Sequence, residues 1–426
     1  MKDYPFIIPL TFGFLLQFFT SILPQTGWRA LNSGTNNNLR AIYPLNYQTI
    51  FVAGDGARVL ASNDSGMSWQ DISPTVSPVN LNDIVFFDSL SGLVVGDFGT
   101  LYRTTDGGTN WSTVTSGISD NLLSVSFADS NGICGARSQS IIISSNLGET
   151  WTVVQSGFLG GGFWGTYMLS PDLGFLLGEN SIFQPLLGRT VDGGANWNYV
   201  PFYINNNEGR GYDIIFTDIQ RGYAACRVWD GRGAISRTTD GGANWNSTFF
   251  NSPLYGIDFP VSNTSLVGYA VGEAGTILKT TDAGNSWHLQ NSNTPNALND
   301  IAFIDFDYGF AVGNNGTILK TETGGDPPVH MASPNQFVSY RVELMDNFPN
   351  PFNSTTTIRW QLPVNSFVRL EIYNPRGQIV ATLVHQMLSA GSHSVKFDAS
   401  ALASGIYIYR LEAGVHTKMK KMILLK

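Results

Sequence analysis

The chain has 426 residues, among them 46 Gly, 24 Lys or Arg and 32 Asp or Glu, and its charged fraction of 13% sits beside an aromatic fraction of 12%. A soluble domain usually carries about a quarter charged residues, so this composition excludes intrinsic disorder and coiled coil, and suits short strands joined by Gly-rich turns. Residues 1–337 have a net charge of −13 and residues 338–426 one of +5, and the acidic front portion argues against nucleic acid as a partner.

In chain order, the first element is an apolar run over 6–23, preceded by Lys2 and followed by Pro24. It reads as a secretory signal over 1–25, with a membrane anchor as the alternative. Either way the folded part is expected outside the cytoplasm.

A repeat follows. Residues 62–69 (SNDSGMSW), 104–111 (TTDGGTNW), 144–151 (SSNLGETW), 190–197 (TVDGGANW), 238–245 (TTDGGANW) and 280–287 (TTDAGNSW) share one octet. Trp69, Trp111, Trp151, Trp197, Trp245 and Trp287 are spaced by 42, 40, 46, 48 and 42 positions, a period that marks a propeller or stacked array. Each unit offers four short strand signals, one blade's worth. The last copy reads Thr321-Glu322-Thr323-Gly324-Gly325 and lacks both acid and Trp, whereas Gly27-Trp28-Arg29-Ala30-Leu31 resembles the strand that follows each octet. Trp28 lies 41 positions before Trp69, on period. The expectation is an all-β, seven-bladed propeller over 26–325, closed by its N-terminal strand at Trp28.

Within the octet, Asp64, Asp106, Asn146, Asp192, Asp240 and Asp282 are read as turn residues accepting backbone N–H groups, with Gly at the positive-φ position. The Trp rings are expected to bury between blades. The octets resemble the Asp-box (sialidase-type BNR) repeat. The fuller unit, V-G-x-x-G-T-[IL]-x-[KR]-T-T-D-G-G-x-x-W, is similar to the propeller family of photosystem II assembly and stability factors. The resemblance covers 27–325 and implies a propeller, with photosystem-assembly chaperone or secreted glycoside hydrolase as functions found on such repeats.

Residues 326–340 are Pro-rich and aperiodic and read as a linker. Residues 341–426 carry several strand signals with tight turns, as in a small β-sandwich of Ig-like type. The stretches NFPNPFN at 347–353, IYNPRG at 372–377, ASGIY at 403–407 and KKMILLK at 420–426 closely resemble the type A C-terminal sorting domain of the type IX (Por) secretion system. That resemblance implies the type IX machinery as a partner, and release from the cell or attachment to its surface.

A candidate site is harder to place. Second-hairpin turns align Asp55, Asp97, Arg137, Glu179, Asp230, Glu273 and Asn314, a ring that suits a cation or basic peptide but that turn preference alone also produces. Trp164, Tyr199 and Tyr203 fall in the crossings expected before and after the fourth blade, where binding residues collect. Arg210, Arg221, Arg227, Arg232 and Arg237 crowd one blade at different heights and do not form a sialidase triad. No His is placed as a base for a nucleophile, and no phosphate loop or zinc spacing occurs. Cys134 and Cys226 are expected as separate buried thiols. The sequence therefore points to a secreted or cell-surface, monomeric binding propeller for an unidentified protein or glycan, with no cofactor, metal or catalytic set assigned.

Overall fold

The structure is a computed structural model that describes residues 27–326, apart from 77, 139, 156–160, 181–183, 203, 205–208 and 261–265. It also describes 342–426, apart from 363–365, 389–390 and 414–415. The leader and most of the linker lie outside the described residues.

Residues 27–326 form seven four-stranded antiparallel sheets. Six are meanders of consecutive strands, as in Leu81–Phe86, Gly92–Gly96, Leu101–Thr104 and Ser112–Thr113 of blade 2. The seventh joins Leu298–Phe303, Gly309–Gly313 and Ile318–Gly325 to the N-terminal strand Gly27–Leu31. Trp28 stands opposite Thr321, matching the place Trp111 takes opposite Thr104 when the Arg103–Ser112 register is continued by one residue. Its ring is 1% exposed, meets Phe303 edge-on at 5.8 Å, and donates its indole N–H to Gln290 at 2.8 Å. The closing strand covers the Ile318–Gly325 edge and gives this blade the same four strands as the other six.

The octet is a hydrogen-bonded double turn. In blade 5 the Thr238 hydroxyl donates to Asp240 at 2.8 Å and accepts the Gly242 N–H at 3.0 Å. Asp240 in turn accepts the N–H and side-chain amide of Asn244 at 2.9 and 2.8 Å. Asn146 keeps the first acceptor and turns its amide N–H onto Thr150. In four blades a basic residue one step before the octet threonine, or its counterpart Thr321, reaches the next blade. Arg103 donates to the Leu147 carbonyl, Arg237 to Asn285, Lys279 to Asp326 and Lys320 to the Ser65 carbonyl.

The six octet tryptophans depart from expectation in part. Each packs at the seam with the preceding blade but stays only partly buried, because the outermost strand leaves one ring edge in solvent. At four of the seven seams the ring between blades is instead a stacked Phe or Tyr pair: Phe51 on Phe86, Phe175 on Phe216, Tyr223 on Phe259 and Tyr269 on Phe303, with centroids 3.5–3.9 Å apart. Such a ring lies flat over the first residue of the second strand, which must then be Gly. A Cβ on Gly222 would stand 2.7 Å from the Phe216 ring.

Residues 342–426 form a three-stranded and a four-stranded sheet around one core that includes Trp360, Leu370, Tyr409 and Leu424. Cys134 and Cys226 are buried, unpaired and in different inter-blade cores.

Candidate functional site

All seven innermost strands carry a β-bulge near their start, seen as register shifts at Leu39/Ala41, Leu81/Asp83, Leu122/Ser124, Phe163/Gly165, Gly211/Asp213, Leu254/Gly256 and Leu298/Asp300. A bulge leaves its extra residue out of the ladder and re-aims the side chain. The extra residues are Arg40, Asn82, Leu123, Trp164, Tyr212, Tyr255 and Asn299, and all seven line one cavity of 410 Å³ where the inner strands converge.

The mouth is two-sided. Blades 4, 5 and 6 contribute Trp164, Tyr212 and Tyr255 as a continuous arc, with ring centroids 6.0 and 5.1 Å apart. Blades 7, 1 and 2 contribute Asn299, Arg40 and Asn82, tied to one another and to the turns. Arg40 pairs with Asp55 and donates to Asn82, and Asn299 donates to the Leu39 carbonyl and Asn314. Arg210 lies over the Trp164 ring at 4.0 Å while making a two-pronged bond to the buried Glu179 at 2.7 and 3.0 Å. The Trp164 indole N–H is buried with no partner among the described residues.

Below the mouth stand three carboxylates. Asp83 accepts the N–H of Ile84 in its own strand and of Val125 in the next blade. Asp213 does so with Ile214 and Ile257, and Asp300 with Ile301 and Ile42. Each carboxylate therefore staples two blades across a position where the next blade carries a small residue, Ser124, Gly256 or Ala41. Asp258, further along its strand, accepts the Phe303 N–H in the same way. Their depth pushes the carboxyls up, to about 6 for Asp83, about 7 for Asp213 and Asp258, and well up for Asp300, against the donated N–H bonds that favour the charged form.

The sequence-derived candidates fall out differently. Asp55, Asp97, Asp230 and Glu273 do sit at second hairpins, but none lines the cavity. They serve their turns and neighbours: Asp97 accepts from Asn80 and Asn82, Asp230 pairs with Arg232, and Glu273 accepts the Tyr255 hydroxyl. Trp164 belongs to the innermost strand Gly162–Met168 and not to a crossing. Tyr199 lies on the outermost strand Asn198–Pro201, stacked on Phe163 at 6.1 Å and away from the mouth. Phe202 is core beside Trp245, and Tyr203 lies outside the described residues. The structure thus does not bring Trp164 and Tyr199 together. Sequence reasoning missed Tyr212, Tyr255 and the floor acids. Their signal was present in the aligned strand starts Asn82-Asp83-Ile84, Tyr212-Asp213-Ile214 and Asn299-Asp300-Ile301, but only a bulge turns those side chains inward. Among the described residues no group of three or more His, Cys, Asp or Glu side chains is placed to hold a metal.

Comparison with known proteins agrees with this architecture. Residues 73–161 and 251–322 match the family model described as photosynthesis system II assembly factor YCF48, and residues 346–425 match that of the secretion system C-terminal sorting domain. No curated protein matches the chain in sequence. Similar solved structures include a YCF48 bound to a D1 peptide, at 19% identity and a TM-score of 0.57 over 71% of this chain and 96% of that one. YCF48 from Cyanidioschyzon merolae gives 17% and 0.52 over 69% and 98%, and the WD40 propeller domain of Doa1 gives 14% and 0.54 over 70% and 95%. At these identities the likeness shows the fold. The sorting domain addresses the chain through the type IX system to the cell surface or beyond it. The chain is therefore a seven-bladed propeller whose repeats are similar to those of the photosystem II assembly factor (BNR) family, followed by a type IX secretion sorting domain.

Proposed function

We propose that this protein is an exported binding propeller that captures an extended protein segment at the funnel mouth. The observation that carries this reading is the aromatic arc of Trp164, Tyr212 and Tyr255, three large rings on bulged residues around a cavity that the fold does not fill. Half-buried rings of this size lining a cavity on a rigid scaffold are the anchors expected of a recognition surface. The peptide in the YCF48 complex supports a peptide over a glycan. A photosystem partner is not carried over, because the sorting tail sends this chain outward.

Hydrolysis is less well supported. Each floor acid is held in place by main-chain N–H groups of two blades, and the second-hairpin acids are held in turns, so among the described residues no two carboxylates stand in acid and nucleophile roles. The test is selection of displayed peptides on the mature full-length protein, followed by Tyr212→Ala and Trp164→Ala. Binding should fall at least about tenfold with an unchanged melting temperature. Peptides that bind the two variants as well as the parent would sink the reading, as would turnover in a polysaccharide screen that is lost in Asp97→Asn.

A further inference from the structure

The geometry points to a ligand that inserts a cationic side chain, Lys or Arg, down the funnel, its aliphatic stem along Trp164, Tyr212 and Tyr255 and its head at Asp83, Asp213 and Asp300. This inference rests on the peptide reading of the mouth and deepens it.

Three observations combine. First, the cavity is lined by the three rings on its wall and by all three carboxylates at its base, so one ligand meets both. A ring face or edge beside a methylene stem, with a charge held at the tip, is how long basic side chains bury their carbons. Second, the carboxylates are enclosed by protein yet partly open to the channel. A carboxylate has about four lone-pair sites, and each of these gives two to main-chain N–H groups, so acceptor capacity remains for a donor from the channel. Third, the acid groups at this depth stand without a cation beside them among the described residues, so an entering ammonium would draw them into the charged form that burial alone disfavours. Asp300 is raised chiefly by burial and further by Asp213 and Asp83, and Asp213 chiefly by burial and further by Asp83 and Asp258, so like charge at this depth adds to the penalty of burial. Among the described residues the one cation lining the cavity, Arg40, is already paired with Asp55 at the rim. A cleft with low-dielectric walls strengthens that pairing once the entering cation has drawn a carboxyl into its charged form.

The test uses mature full-length protein and fluorescein-labelled nine-residue Gly/Ser peptides with a central Lys, norleucine or Glu, followed by anisotropy. The Lys peptide should bind about tenfold or more tighter than norleucine, and the difference should shrink with added salt. Leu123→Lys places a built-in ammonium in the mouth at a position where blade 1 already carries Arg40, so the fold tolerates it. This variant should abolish the preference for Lys, whereas Tyr212→Ala should weaken Lys and norleucine alike. Equal binding of Lys and norleucine, both lost in Tyr212→Ala, would overturn the cation inference while leaving the mouth as a peptide site. Preference for Glu would do the same. No binding of any peptide would overturn both.

Discussion

A single hydroxyl decides each octet. Thr238 is 1% exposed, and its oxygen both donates to Asp240 and receives the Gly242 N–H. Thr238→Val keeps the shape and strands that N–H, which costs about 1–3 kcal/mol, while Thr238→Ser should be nearly neutral because Ser62 and Ser144 do the same work in blades 1 and 3. Chemical denaturation of the two variants checks this, and equal stability would contradict it. The carboxylate itself is more replaceable than the hydroxyl, as Asn146 shows, and this much was legible from the octet spelling. Burial of the Trp rings was overestimated from the same letters, since spelling does not reveal that the outermost strand has solvent on its far side.

At the level of strands, the ring closes through five residues. Trp28→Ala removes a fully buried ring and should cost about 3–5 kcal/mol, and deletion of 27–31 should expose the Ile318–Gly325 edge and promote self-association, readable by calorimetry and light scattering. Gly222→Ala drives a methyl into Phe216 and should cost about 1–3 kcal/mol, although the backbone there is ordinary strand. Closure by the first strand was readable because Trp28 keeps the period. The inward-facing site was not. A bulge shifts the alternation of in and out by one, so Trp164 read as crossing loop, Tyr212 went unmarked, and the ring of hairpin acids drew attention outward.

Across the whole molecule, two sets of carboxyls pull stability in opposite directions with pH. Asp83, Asp213 and Asp258, raised to about 6 or 7 by their depth, favour the protonated fold. Their contribution is complete below the unfolded value of about 4 and is lost as pH rises through 6–7. The octet acids run the other way. Asp64 is lowered to about 2 by the Ser68 side chain and N–H, so its contribution is present above about 4 and is lost as pH falls toward 2. Melting temperature should therefore peak in mildly acid buffer and fall from pH 5 to pH 8. A scan that is flat or rising over that interval would show the staples to be charged throughout.

Gly27 and Gly325 are neighbours in one ladder, at the octet end of the last blade, and Asp326 follows at once. Whatever precedes and whatever follows the ring thus departs from a single spot on the side away from the funnel. A protein held to an envelope by its tail would keep that opening turned to the surrounding medium, where a passing chain can enter unobstructed by its own anchor.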